Sequence, residues 1–298
     1  MRPSASGGDP VGAILQGLAG AGYVAGADLA TAVHLALTLP RPLLVEGPAG
    51  VGKTALATAL SSTLGRRLVR LQCFEGLDFS QALYEWDYPR QLLALRQADG
   101  GVDDADLFSE RFLLHRPLLS ALLAEDGPVV LLIDEIDRAD EALEALLLEL
   151  LGEGQVTIPE LGTLKAKAMP HVVITSNRTR ELSDALRRRC LYAWIDFPTV
   201  QRESAILAAH LPKTTPHLAA EVARLMAALR RMELDKPPGV AEALDLAAAA
   251  AQLGSDHLDQ DVVAQALGTI VKSAQDRQRL LAADGQQLAQ ALAEAEES

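Results

Sequence analysis

The sequence predicts a parallel five-stranded α/β sheet followed by a separate all-helical domain, and three observations predict it. Short apolar runs bounded by turn residues recur five times between residues 42 and 197 and alternate with helix-like stretches, as strands buried on both faces do. After Pro198 these runs stop, and Ala/Leu-rich segments at helical spacing take over, as in LAAEVARLMAALRRM and VAEALDLAAAAAQL. A chain of 298 residues is long for one ordinary domain and short for three.

The elements follow in order. Residues 1–20 begin with MRPSASGGDP and read as a flexible N-terminal segment. The uncharged stretch 10–27 is long enough to span a bilayer, but Gly12, Gly17, Gly20, Gly22 and Gly26 interrupt it and Asp9 and Asp28 flank it. It is read as neither export signal nor membrane span, and a cytoplasmic protein without a membrane partner is expected. Residues 21–198 form the α/β domain. A helix over 26–39 precedes the strand PLLVE, and a second helix runs from Lys53 to Leu64. RLVRLQ (67–72), PVVLLID (128–134), HVVITSN (171–177) and LYAWIDF (191–197) supply the other strands. Residues 199–298 form the helical domain, its final AQALAEAEES a loose terminal helix.

Composition narrows the function. Of the residues 49% are hydrophobic but 4% aromatic, so Leu, Ala and Val build the core. A net charge of −13 repels a polyphosphate backbone, which argues against a nucleic-acid partner. Cys73 and Cys190 lie far apart without ligand spacing and read as buried thiols, and the six histidines suggest no metal cage.

The stretch EGPAGVGKTAL carries the chemistry. Gly47, Pro48, Ala49, Gly50, Val51, Gly52, Lys53 and Thr54 satisfy G-x-x-x-x-G-K-T between a strand and a helix, where backbone N–H groups cradle phosphates at a helix N-terminus. Lys53 is expected to bridge the β- and γ-phosphates of ATP, and Thr54 to place its hydroxyl on Mg2+. The buried strand VVLLID delivers Asp134 as the second magnesium ligand, and Glu135 beside it is placed to polarise the attacking water. Asn177 ends the next strand, in reach of that water or of the γ-phosphate. In SDALRRRC, Arg187, Arg188 and Arg189 stand in a row. They complement a helix dipole, or Arg188 and Arg189 reach a neighbouring subunit's nucleotide as fingers. Tyr84, Trp86 and Tyr88 alternate in an aromatic-poor chain, which fits a partner-gripping surface and core packing about equally.

GPAGVGKT, LLIDEID, ITSN and LSDALRRRC, in this order and followed by a helical lid, resemble the AAA+ ATPases over about residues 20–273. Two further segments resemble features of the MoxR family, particularly its CoxD-like branch: an insertion in the second helix (about 74–93) and a β-hairpin before the sensor strand (about 152–170). The resemblance implies a P-loop NTPase core with a helical lid and a homo-oligomeric ring, usually a hexamer, with ATP between subunits. It also implies a von Willebrand factor A domain partner, a client metalloenzyme and a chaperone-like role in remodelling or cofactor maturation. MoxR proteins carry a lid arginine where this chain has KPPGVAEALDL, with Ala241 or Glu242 in its place. A nucleic-acid motor or McrB-like restriction NTPase, suggested by ALRRRC, and a slow ATP-dependent scaffold are the alternatives.

Overall fold

The computed structural model describes residues 9–97, 104–281 and 291–293. The chain divides into two compact units. One runs through Trp194 and leaves out two short stretches, Gly22–Val24 and Pro48–Gly52, while the other joins those stretches to Ile195–Ser298.

The first unit opens with two helices, α1 (Pro10–Gly20) and α2 (Ala27–Thr38). The expected flexible segment over 1–20 is thus helical from Pro10 on, and residues 1–8 lie outside the described residues. Asp9 caps α1 by accepting from Val11 N at 3.1 Å, and Pro10 occupies the first turn, where a missing N–H is harmless. One of the glycines in the uncharged stretch, Gly17, serves packing. A Cβ on Gly17 would lie 2.2 Å from Thr63 Cγ2, so the small residue lets α1 approach α3 (Lys53–Leu64).

Between α2 and α3 runs β1 (Leu43–Glu46), and after α3 comes β2 (Leu68–Gln72). A subdomain follows: α4 (Phe79–Ala82), β3 (Tyr84–Trp86), α5 (Tyr88–Gln97), α6 (Asp104–Leu107) and β4 (Leu113–His115). β3 and β4 pair antiparallel, Tyr84 opposite His115 and Trp86 opposite Leu113, so this substructure reaches well past residue 93. The chain then runs through α7 (Pro117–Leu122), β5 (Val130–Asp134) and α8 (Glu141–Glu153) into the antiparallel hairpin of β6 (Gln155–Ile158) and β7 (Gly162–Lys165). β8 (His171–Ser176), α9 (Asp184–Arg189) and β9 (Leu191–Trp194) complete the unit.

The main sheet has the order β2-β5-β8-β1-β9, and all four pairings are parallel. Its predicted five strands are all present. Every residue of β5 is buried, which explains a sequence of apolar residues without alternation. Register brings the carboxyl ends level: Gln72 lies opposite Asp134, and Glu46 opposite both Ser176 and Trp194. Open parallel sheets bind ligands at this edge.

The second unit is helical: α10 (Val200–His210), α11 (Pro216–Arg231), α12 (Val240–Gln252) and α13 (Gln260–Ile270). Leu207, Val222, Met226, Leu246 and Val263 form its core, with Ala247 and Ala250 of the alanine run buried among them. Arg230 donates to both oxygens of buried Glu203 at 2.7 Å and lies over the Phe197 ring. Burial raises the Glu203 pKa, against the pull of Arg230. Among the described residues no helix is long and apolar enough to cross a membrane. The terminal AQALAEAEES lies outside the described residues except 291–293.

Candidate functional site

The loop after β1 is shaped by backbone that most side chains resist. Gly50 has φ +79, and a Cβ there would lie 3.0 Å from Gly239 Cα. Val240 N donates to Gly50 O at 2.9 Å, so the loop is tied to the first residue of α12. Glu242, one of the two residues standing where an arginine was expected, accepts from Gly239 N at 3.0 Å and is used within its own helix terminus.

Lys53 opens α3 and is 6% exposed, and its Nζ donates to Gly47 O at 2.8 Å. Burial lowers its pKa, while Asp137, Asp134 and Glu135 work in the opposite direction. Thr54 Oγ1 donates to the Asp134 carboxylate at 3.0 and 3.2 Å. Asp134, at the carboxyl end of β5, is 2% exposed. It also accepts from Thr175 Oγ1 at 2.5 Å and from Arg70 Nη2 at 2.6 Å. A hydroxyl and a buried carboxylate facing each other are hard oxygen donors, and they suit a magnesium ion bound together with phosphates. Beside them the loop presents a buried lysine and the start of a helix, a setting that suits polyphosphate.

The turn after Asp134 is strained. Glu135 takes φ 56 and ψ 50, a left-handed conformation that costs a non-glycine residue about 1–3 kcal/mol. Its N–H is held by Thr175 Oγ1 at 2.9 Å, and its carboxylate meets Arg138 Nε at 3.0 Å. Asp137, two residues on, accepts from Asn177 N at 3.1 Å, Thr179 N at 2.9 Å and Thr179 Oγ1 at 2.7 Å. Burial alone would raise the Asp137 pKa, but these hydrogen bonds outweigh it and the net shift is downward. Asn177 is therefore pinned at the end of β8, the strand next to β5.

The loop beyond Asn177 is held at a second point. Glu144 on α8 accepts from Ser183 N at 2.9 Å and pairs with Arg180 at 2.6 Å, and Arg180 also donates to Ala139 O. This fixes the approach to α9. All three arginines there are exposed. Arg189 Nη1 turns back onto Ala185 O at 3.2 Å. Arg187 and Arg188 side chains make no hydrogen bond or ion pair among the described residues. The carbonyls of Arg188, Arg189 and Cys190 are instead taken by Arg41, at 2.6, 3.1 and 3.3 Å.

The structure thus gathers Lys53, Thr54, Asp134, Glu135 and Asn177 at one edge of the sheet, whereas the α9 arginines form no bond to Asp134 or Glu135. Thr175, Arg70 and Arg41 had no role in the sequence reading. A polar Thr at the end of an apolar strand was the available signal for Thr175.

A family model described as AAA domain (dynein-related subfamily) matches residues 42–190, half of the chain. The chain belongs to that family. It is an AAA ATPase. The gas vesicle ATPase GvpN2 of Halobacterium salinarum is 25% identical over 247 residues, covering 80% of this chain and 70% of that protein. GvpN of Haloferax mediterranei is 26% identical, over 76% of this chain and 66% of its own. Midasin of Dictyostelium discoideum is 34% identical over 127 residues, which are 42% of this AAA ATPase and 2% of midasin. A solved mutant of Thermotoga maritima RuvB matches with a TM-score of 0.51 at 20% identity, over 85% of this chain and 73% of that one. That likeness concerns the fold alone.

Proposed function

We propose that this AAA ATPase is a MoxR-type machine that hydrolyses Mg-ATP between copies of itself and uses the energy to remodel or mature a client protein in the cytoplasm. The observation that carries the reading is the Thr54 hydroxyl on the buried Asp134 carboxylate, with Lys53 one residue before and Glu135 one residue after. Magnesium, held by Thr54 and Asp134, would neutralise charge on the phosphates. The backbone of Gly47 to Thr54 cradles those phosphates and Lys53 contacts the β- and γ-groups. Glu135 takes the role of water-polarising base, and its strained turn keeps it off the strand. Asn177 orients the water or the γ-phosphate. Arg188, exposed and free of its own helix, is the foremost finger toward the neighbouring copy, with Arg189 supporting it.

A homo-oligomeric ring, a hexamer in the first instance, a von Willebrand factor A domain partner and a client metalloenzyme belong to the same proposal. They follow from the MoxR resemblance. A second reading of the client is favoured by the alignment with two gas vesicle ATPases over 76–80% of this chain: a gas vesicle component in place of a metalloenzyme.

Glu135→Gln tests the chemistry. It removes the base and leaves Asp134 in place, so Mg-ATP binding should persist while turnover falls about 10²-fold or more. Binding is read with a fluorescent ATP analogue and turnover by phosphate release. Hydrolysis at the parent rate would overturn the assignment.

A further inference from the structure

The carboxylate of Asp134 is fully engaged. Oδ1 accepts from Thr54 and Thr175, and Oδ2 accepts from Arg70 at 2.6 Å and from Thr54 at 3.2 Å. Thr54 and Thr175 are neutral, whereas Arg70 forms an ion pair with Asp134 at 2.6 Å and the Lys53 ammonium also feels that charge. A carboxylate 2% exposed needs such a partner, because a buried charge without one is unfavourable.

Arg70 is placed to be that partner and to leave. It lies on β2, two residues before Gln72, which registers opposite Asp134, and the same Nη2 donates to Gln72 Oε1. Its side chain is 51% exposed against 2% for Asp134. A half-exposed guanidinium can swing into water without opening a cavity, and solvent at its end screens the pair. A divalent cation at Asp134 meets this residue as a competitor, since both want the same oxygen and their charges repel.

We propose that Arg70 is a resident counter-ion of Asp134, displaced when a divalent cation enters, and that it thereby sets the Mg2+ concentration at which the site loads. Arg70 acts through Asp134 and is a positioning residue, not a catalytic one. The inference rests on the assignment of Asp134 as a cation ligand.

Three variants of the full chain test it: Arg70→Gln, which keeps a hydrogen-bonding side chain without charge, Arg70→Lys, which keeps the charge, and Asp134→Asn. Two readouts are independent of turnover. One is Mn2+ binding in the presence of ADP, followed by electron paramagnetic resonance of the free ion. The other is binding of a fluorescent ATP analogue across a Mg2+ titration and in EDTA. Arg70→Gln should lower the half-saturating cation concentration about 2- to 5-fold, as expected for release of a solvent-screened ion pair. Arg70→Lys should stay near the parent, and affinity for cation-free nucleotide should not change. Arg70→Met, which keeps the aliphatic stem, serves as a second uncharged variant should Arg70→Gln not fold. An unchanged half-saturation in the uncharged variant, with cation binding lost in Asp134→Asn, overturns the role of Arg70 and leaves Asp134 as ligand. Weaker binding of cation-free nucleotide by Arg70→Gln would put the guanidinium on the phosphates and also overturn it. Undiminished cation binding by Asp134→Asn would remove the underlying assignment itself.

Discussion

At the carboxyl end of β5, charged groups are hydrogen-bonded or ion-paired within the chain, whereas at the end of α9 the Arg187 and Arg188 side chains form neither bond among the described residues. Asp134 is enclosed by Thr54, Thr175 and Arg70, and Asp137 by Asn177 and Thr179. Arg187 and Arg188 are exposed and make no hydrogen bond or ion pair among the described residues. Basic residues at a helix C-terminus usually serve its carbonyls and dipole. Here that explains Arg189, which bonds Ala185 O, but Arg41 already holds the terminal carbonyls. The remaining guanidiniums are left over, on a helix whose approach Glu144 and Arg180 fix. The Asp134 corner is partnered within one chain, whereas Arg187 and Arg188 keep exposed guanidiniums that the proposed finger role would use.

The largest effect should come from testing that difference directly. Arg188→Ala with Arg189→Ala should bind ATP normally yet hydrolyse it about 10³-fold more slowly or worse, the loss typical of a missing finger. Lys53→Ala should fail at its own site but still present intact arginines. Mixing the two inactive proteins under subunit exchange should then restore part of the activity. If mixed assemblies form and none returns, the arginines serve their own chain and the contrast with β5 disappears.

Arg41→Ala sharpens the same contrast with a smaller effect. It strips three carbonyls of a charged donor, so thermal unfolding should show a loss of about 1.5–3 kcal/mol. The vacated carbonyls also invite Arg188 to turn inward, which predicts a turnover loss of about tenfold beyond any unfolding. Unchanged turnover in a destabilised variant would show that Arg188 is not kept extended by Arg41.

How much of this was legible in the sequence follows from distance along the chain. The phosphate loop, the acidic strand end and Asn177 are contiguous strings whose spacing carries their geometry. The pairings that finish the corner are not: Arg70 is 64 residues from Asp134, Thr175 is 41, and Arg41 is 147 from Arg188. No local pattern encodes such a meeting. The aromatic alternation shows a different obstacle. Trp86 is 7% exposed and packs edge-on with Tyr84 and Phe108, while Tyr88 is 58% exposed. Period-two reasoning fails there because β3 ends at Trp86 and α5 begins at Tyr88. Trp86 is core, and a gripping role falls to no alternating set. In α1 the use of Gly17, close packing on Thr63, becomes visible only in three dimensions.

The smallest effect belongs to the corner's other carboxylate and is read by pH. Asp137 accepts three hydrogen bonds that favour its charged form, and its folded pKa lies below the ordinary 3.8. A carboxyl group lowered on folding stabilises the protein above its unfolded pKa, and that contribution is lost as pH falls through the folded value. Stability supplied by Asp137 should therefore be flat from neutral pH down to about 5 and decline below about 4. Asp137→Asn keeps the shape and one acceptor oxygen, so at neutral pH it should lose about 1 kcal/mol. On acidification the gap between variant and parent should close, because the protonated parent also loses the charge. Denaturant melts at several pH values measure this. A gap constant down to pH 3 would mean that Asp137 holds the Asn177 turn by shape rather than by charge, and the electrostatic account of this side of the corner would fall.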